Sequence, residues 1–316
     1  MMPQHHIGTL DPISSEILKL GVQEQDTSRV NSNQDFLDSK LWRKAQLINK
    51  RSVSWDARIF TFKLDHETQS LGLPTGQHLM MKIKDDNSSQ NKSIIRAYTP
   101  ISETSQRGTL ELLVKIYYDM SNPDPRNVGN NPSKTGGKMT MALDRLVLNS
   151  TVEFKGPVGK LQYLGKGRVL LNAKERQVSA FRMICGGSGI TPIFQVLRAV
   201  MQDEEDNTEC VVLDSNRMEE DILCREELDR FVQTAADLKS QPIWKARNKC
   251  EVLHTLTKPL PTWSGLRGRI SVELLKRHCS PRKDCLVLIC GPGSMERAVR
   301  ELLTSLGWHE SDLVFF

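Results

Sequence analysis

Apolar residues recur along this chain in two rhythms, and the rhythm changes once. From about residue 41 to 165 they come in short bursts: "ARIFTFKL", "HLMMKIK", "IIRAYTPIS", "LELLVKIYY" and "TVEFKG". Each burst has the length and composition of a strand. Short strands following one another without alternating helices predict an antiparallel barrel. One helix is predicted among them, "GGKMTMALDRL" at residues 136–146. Ahead of it, "DMSNPDPRNVGNNPSKTGG" is rich in Asn, Pro, Ser and Gly and reads as a loop.

From about residue 176 each apolar strand is followed by a helical pattern. "AFRMICGG" precedes "TPIFQVLRAVMQD", "ECVVLDSN" precedes "EEDILCREELDRFV", "CEVLHTLT" precedes "SVELLKRH", and "CLVLICG" precedes "SMERAVRELLTSLG". Such alternation predicts a parallel sheet with helices on both faces. The expected fold class is therefore β plus α/β, an antiparallel β-barrel followed by a parallel-sheet α/β domain. Residues 1–40 are polar, with only a short helical candidate at "SSEILKLG", and read as an arm or linker. The barrel domain is placed at 41–165 and the α/β domain at 176–316.

Composition removes several function classes. A chain of 316 residues suggests about two domains. No apolar run approaches the ~20 residues of a membrane helix, and the start lacks the basic-then-apolar order of a signal peptide. The seven cysteines are scattered, odd in number and free of CxxC, which reads as reduced thiols in a cytoplasmic setting with no zinc site. The seven histidines show no ligand spacing either, so no metal is expected. A net charge of +5 without interleaved aromatics excludes a nucleic-acid groove, yet suits docking on an acidic protein.

Four short stretches carry candidate chemistry. In "RAYTPIS", residues 96–102, Arg96 and Tyr98 share one strand face and Ala97 and Thr99 the other. A cation, a ring and a hydroxyl at a sheet edge suit a large planar ligand carrying phosphate; alone, they equally describe an ordinary strand with a snorkelling arginine. "GGSGITP", residues 186–192, links a strand to a helix, so its backbone can approach a phosphate beside free N–H groups. It is not GxGxxG, and a simple tight turn has the same composition. "CGPGSM", residues 290–295, ends another strand on the same sheet edge, and two such turns can flank one ligand. There Cys290 either faces the cleft or is a small buried core thiol. "GGKMT", residues 136–140, repeats the anion-binding logic in the barrel half. "SNR", residues 215–217, sits at a strand's carboxyl end in reach of a nucleotide, whereas "EEDILCREEL" reads as a solvated helix face.

In this order, "RAYTP", "GGKMT", "GPVG", "GGSGITP" and "CGPGSM" resemble the ferredoxin–NADP reductase superfamily in its cytochrome b5 reductase branch, over residues about 41–316. The leader "MMPQHHIGTLDP" resembles the tail of the haem domain in fungal assimilatory nitrate reductases, and "SNRMEEDILCREELDRF" is closer to those enzymes than to stand-alone reductases. The resemblance implies their C-terminal flavin fragment, unable to reduce nitrate by itself. It implies hydride transfer from NADPH to FAD, then single electrons to a cytochrome b5-like haem domain or protein, by a monomeric fragment.

The resemblance also implies roles for single residues. Arg96 pairs with the flavin pyrophosphate, Tyr98 packs on the isoalloxazine–ribityl region, and Thr99 hydrogen-bonds near N5. Val114, Lys115 and Tyr117 line the flavin, and Gly137, Lys138, Met139 and Thr140 cap its pyrophosphate. Thr191 faces both cofactors, and Gly186, Gly187, Ser188 and Gly189 meet the nicotinamide dinucleotide. Asn216, Arg217, Gly291, Pro292 and Met295 complete that site. Cys290 orients the nicotinamide C4, which leaves Thr99 and Cys290 at the reacting atoms. Asp214 superficially suggests NADH, since an acid there accepts from a ribose hydroxyl. NADH-using relatives carry the discriminating acid one strand later, where this chain has Thr257, and an aromatic where it has Arg269. A hydroxyl with an arginine suits a 2′-phosphate, so NADPH is expected rather than NADH. The loop 119–135 is longer than in relatives; it either covers the flavin adenine or extends into solvent. The rival readings are a stand-alone NADH–cytochrome b5 reductase and a nucleotide-binding module without turnover.

Overall fold

The structure, a computed structural model, describes residues 35–84, 92–118, 137–239 and 250–316. The helical candidate "SSEILKLG", most of the expected arm, Gly136 and the loop 119–135 lie outside the described residues.

The first half is built from β1 (Arg43–Ser52), β2 (Ala57–Lys63), β3 (His78–Lys84), β4 (Ser93–Tyr98), β5 (Thr109–Lys115), α1 (Lys138–Arg145) and β6 (Thr151–Val158). These strands form one antiparallel sheet in the order β4-β3-β6-β1-β2-β5. Its two edges are joined by the chain leaving β4: the Ile101 N–H donates to the Glu111 carbonyl on β5 at 2.9 Å. That bond draws the two ends of the sheet together into a barrel. Inward residues, among them Phe60, Phe62, Leu110, Leu112 and Phe154, form its core. Phe36 and Leu37, read as the end of an arm, belong to this core; their N–H groups donate to Ser70 and Leu71 carbonyls at 2.9 and 3.1 Å.

Between the halves lies a small antiparallel sheet of β7 (Leu161–Gly165), β8 (Arg168–Leu171) and β9 (Lys174–Gln177). The apolar–polar pattern there is weak because β9, "KERQ", has no buried residue. Leu161, Tyr163 and Val169 nevertheless join a core that extends into the second half.

The second half runs β10 (Ala180–Gly186), α2 (Ile190–Gln202), β11 (Glu209–Asn216), α3 (Arg225–Lys239), β12 (Cys250–Leu256), β13 (Leu266–Arg267), α4 (Val272–His278), β14 (Cys285–Cys290), α5 (Gly293–Ser305) and β15 (Leu313–Phe315). All strands are parallel, in the order β13-β12-β11-β10-β14-β15. Every residue of β10 is buried, as a central strand covered on both faces requires. One expectation is corrected. "EEDILCREELDRFV" is not a continuous helix: a 3₁₀ turn at Glu219–Asp221 is followed by Cys224 at φ 55°, and α3 starts at Arg225. The break turns Asp221 inward to meet Lys115 at 2.8 Å and buries Ile222 and Leu223.

Candidate functional site

Strand order sets the location. The chain goes from β10 outward to β11 and β12 on one side, then returns to place β14 on the other side of β10. The switch point lies between the carboxyl ends of β10 and β14, where open α/β sheets leave a crevice. "GGSGITP" leaves β10 there and "CGPGSM" leaves β14. The two turns touch backbone to backbone: a Cβ on Gly189 would stand 2.2 Å from the Cys290 carbonyl oxygen. Only glycine permits this approach. Met295 packs over Gly186 and Gly291 from above.

Helix starts separate the candidate ligand sites from ordinary ones. The first four N–H groups of a helix lack partners within it and attract anions unless a side chain caps them. The N-cap positions Gly137 of α1, Gly189 of α2 and Pro292 of α5 make no side-chain cap. By contrast, α4 is capped by Ser271, whose Oγ accepts from the Leu274 N–H at 3.3 Å. Of the three uncapped helices, α1 and α2 are those expected at phosphates; α2 is entered through a 3₁₀ turn in which the Ile190 N–H donates to the Gly187 and Ser188 carbonyls. At α1, a Cβ on Gly137 would lie 2.6 Å from Thr140 Oγ1, which itself accepts from the Tyr117 N–H at 3.2 Å.

The expected site residues fall into distinct settings. Arg96, Tyr117 and Lys138 are exposed, and Tyr98 is half-buried near Tyr117. Burial pushes the Tyr98 hydroxyl well above its ordinary range, so it stays protonated. Thr99 and Thr191 are buried, and Thr191 Oγ1 donates to the Ser188 carbonyl at 3.2 Å. Val114 and Met139 point into the barrel core, so only their backbone groups face outward. Lys115 is committed elsewhere: its Nζ lies 3.0 Å from Asp56 Oδ2 and 2.8 Å from Asp221 Oδ1, joining the barrel to the second half. The Cys290 thiol is pushed up to about 12, first by burial and then by Glu296, and is neutral at ordinary pH.

The nucleotide-side residues gather at the strand ends. Asn216 Oδ1 accepts from the Gly187 N–H at 3.2 Å. The Thr257 and Lys258 N–H groups donate to the carbonyls of Asn216 and Arg217 at 3.1 and 2.7 Å. The Gly268 N–H donates to the Leu256 carbonyl at 2.8 Å, which seats Arg269 near Thr257 at the sheet's end, both exposed. Asp214, in contrast, is 1% exposed and bonded to Asn216 and His254, so its carboxylate is not offered to a ribose.

Contacts that periodicity does not reveal bring the two halves together. Arg198 of α2 donates to the Ile101 and Ser102 carbonyls at 2.5 and 2.6 Å, clasping the exit of "RAYTPIS". Gln195 accepts from the Gly76 N–H at 2.7 Å. Ala57, Ile59 and Leu113 share one core with Phe181, Met183 and Ile190. Among the described residues no cluster of three or more His, Cys, Asp and Glu side chains could hold a metal ion. No described helix is long and apolar enough to cross a membrane.

Comparison with known proteins gives each half a counterpart. Residues 44–163 match the oxidoreductase FAD-binding domain and residues 183–301 the oxidoreductase NAD-binding domain. The nitrate reductase [NADPH] of Aspergillus niger is 54% identical over 317 residues, which cover 100% of this chain and 33% of that protein. That of Neurospora crassa is 47% identical over 320 residues, covering 100% of this chain and 31% of that protein. The chain thus spans about a third of the length of these relatives. The cytochrome b5 reductase domain of Ulva prolifera nitrate reductase superposes with a TM-score of 0.78 at 31% identity, covering 90% of this chain and 100% of that one.

Proposed function

The chain belongs to the family of cytochrome b5 reductase domains of nitrate reductase, and we propose that it passes electrons from NADPH through FAD to a cytochrome b5-type haem. It is an FAD-dependent NAD(P)H oxidoreductase, with FAD and NADPH as cofactors. Bound together, the cofactors supply the chemistry: a hydride passes from the nicotinamide C4 to the flavin N5, and single electrons then leave for the acceptor. What remains for the protein is to bind, orient and exclude water.

One observation carries this reading. Arg198 of α2, the helix that opens from the turn after β10, holds the exit of "RAYTPIS" at 2.5 Å, which docks the two halves on one another. This docking supports the reading in which two anion-binding sites, one per half, share one cleft. On the barrel side the donor set fits FAD: the exposed Arg96 guanidinium and the uncapped start of α1 suit a pyrophosphate, and the Tyr98 ring with Thr99 suits a planar ring system. Glycine at 137 keeps that approach open. Of the β5 residues, Tyr117 offers its ring, and Val114 only its backbone. Lys115 acts mainly through its pair of carboxylates, holding β5 to the turn at Asp221.

On the other side, Gly187, Ser188 and the α2 start suit the dinucleotide phosphates, with Gly291, Pro292 and Met295 forming the opposite wall. Cys290 acts as a neutral thiol that orients the ring and donates no electron pair. Thr257 and Arg269 select the 2′-phosphate of NADPH, and the burial of Asp214 favours this assignment over NADH. In the same reading residues 41–165 carry the flavin and 176–316 the nucleotide. In this reading the chain is cytoplasmic and monomeric and is the electron-donating part of nitrate assimilation, on which the haem acceptor docks through charge.

The test is an anaerobic visible titration of the purified chain with NADPH and, separately, NADH. The expected result is flavin absorbance that NADPH bleaches much faster than NADH. Faster bleaching by NADH would overturn the role of Thr257 and Arg269. A folded chain that binds no FAD would overturn the reading of Arg96, Tyr98 and Thr99. Absorption changes in an added cytochrome b5-type haem after bleaching test the acceptor.

A further inference from the structure

Near the carboxyl ends of their strands, four titratable side chains line up across the sheet. Cys290 on β14 is the register partner of Cys185 on β10, Cys185 of Asp214 on β11, and Asp214 of His254 on β12. Register partners in a parallel sheet project to the same face, with strands about 4.8 Å apart. The row is bonded as well as aligned. Cys185 Sγ donates to Asp214 Oδ1 at 3.5 Å, and His254 Nδ1 lies 2.9 Å from Asp214 Oδ2. A third donor comes from the end of β11, where Asn216 Nδ2 lies 2.8 Å from Asp214 Oδ2.

A carboxylate buried this far is costly unless hydrogen-bonded, and no lysine or arginine bonds to it among the described contacts. His254 Nε2 is itself buried without a hydrogen-bond partner, which leaves Nδ1 as the ring nitrogen that meets the Asp214 carboxylate. Three donors therefore converge on one acceptor, and the geometry of that acceptor fixes theirs. The consequence falls on Asn216. With its amide nitrogen held by Asp214, its Oδ1 points to the Gly187 N–H at 3.2 Å, the first residue of the turn after β10. Remove the anchor, and the amide is free to rotate and release the turn.

We propose that Asp214 is a positioning residue for the pyridine nucleotide: braced by Cys185 and His254, it orients Asn216, which fixes the Gly187 turn. The inference rests on the reading that this turn meets the dinucleotide. It gives three buried groups a task in nucleotide affinity that burial alone does not.

The test is a double-mutant cycle on the FAD-loaded full chain, using Asp214→Asn, Asn216→Ala and the pair. Each single change is expected to raise KM for NADPH about tenfold, the worth of one hydrogen bond. In Asp214→Asn, flavin content and kcat should stay near wild type, a split that a purely structural role would not produce. Because Asp214 acts through Asn216, the double variant should be no worse than Asn216→Ala. Effects that multiply, or an unchanged KM in Asp214→Asn, overturn the proposal. Should Asp214→Asn fail to fold, the His254 variants decide. His254→Asn can place an N–H near the Nδ1 position and should keep KM within about twofold, whereas His254→Leu should raise it severalfold. Equal KM values for those two variants overturn the proposal. If NADPH cannot bleach the wild-type flavin, the reductase reading itself has failed, before any variant is compared.

Discussion

On the barrel half, three of the residues expected at the ligand stand out from the surface: Arg96 on β4, Tyr117 just after β5 and Lys138 at the start of α1 are exposed. At the ends of β10 and β14 the reverse holds. Backbone meets backbone at Gly189 and Cys290, and the polar side chains beneath, Asp214 and Asn216, are buried and bonded to one another. The flavin side is a surface of side chains on a closed barrel, whereas the nucleotide side is a shaped backbone on a braced support. Side-chain recognition weakens by increments when a residue is changed. Backbone recognition fails at once when the chain cannot make its approach.

The largest expected effect therefore belongs to Gly189→Ala. With a Cβ at 2.2 Å from the Cys290 oxygen, one of the turns must move. Overpacking of this kind costs about 1–3 kcal/mol or more. NADPH should no longer bleach the flavin while the barrel still holds FAD, which absorbance and stopped-flow reduction would show. Ordinary bleaching in Gly189→Ala would mean that the close approach of the turns is dispensable.

Next comes Thr257→Asp with Arg269→Ser. Replacing a charge-assisted contact by a repulsive acid should swing the NADPH:NADH ratio of kcat/KM by roughly a hundredfold toward NADH. An unchanged ratio in steady-state kinetics would sink the specificity assignment. Arg96→Ala should weaken FAD retention by about tenfold or more, the worth of a charged hydrogen bond. Since Arg96 is exposed, the melting temperature of the FAD-free chain should stay put. Flavin content after gel filtration, compared with that melting point, checks both halves of the statement.

Cys290→Ser should have the smallest effect, a slowing of flavin reduction by about tenfold or less, because a neutral hydroxyl can replace a neutral thiol in orienting a ring. The folded thiol titrates near 12, above its ordinary range, so it is protonated throughout the working range. The reduction rate should accordingly show no ionisation from Cys290 between about pH 6 and 9. An inflection in that window that disappears in the serine variant would show a thiolate at work.

The same contrast explains what the chain discloses as a sequence. The barrel strands and the strand–helix alternation are legible because one face or both faces of each element are buried, and burial writes itself as periodicity. The sheet β7-β8-β9 is less so, since β9 buries nothing. The interruption after Asp221 is hidden for another reason: the residues 219–232 have helical spacing, and the break answers to Lys115, 106 positions away. The glycine turns and "RAYTPIS" are legible as local chemistry. What their spacing cannot convey is which strands become neighbours, and so Cys185, Asp214 and His254 look unrelated until the register puts them in one row. Arg198 and Gln195 likewise read as ordinary positions of an amphipathic helix.

Polar contacts cross between the halves, among them Gly76 with Gln195, Ile101 and Ser102 with Arg198, Glu103 with Gln202, and Lys115 with Asp221. Each uses a residue of the second half whose counterpart sits in the first. For anyone recombining reductases, the halves are therefore not interchangeable cassettes. A graft of residues 180–316 onto a foreign barrel must bring Gln195, Arg198 and Asp221 and find a carbonyl pair, an amide and a lysine waiting for them. Spliced without those matches, both parts can fold correctly and still hold their cofactors at the wrong separation.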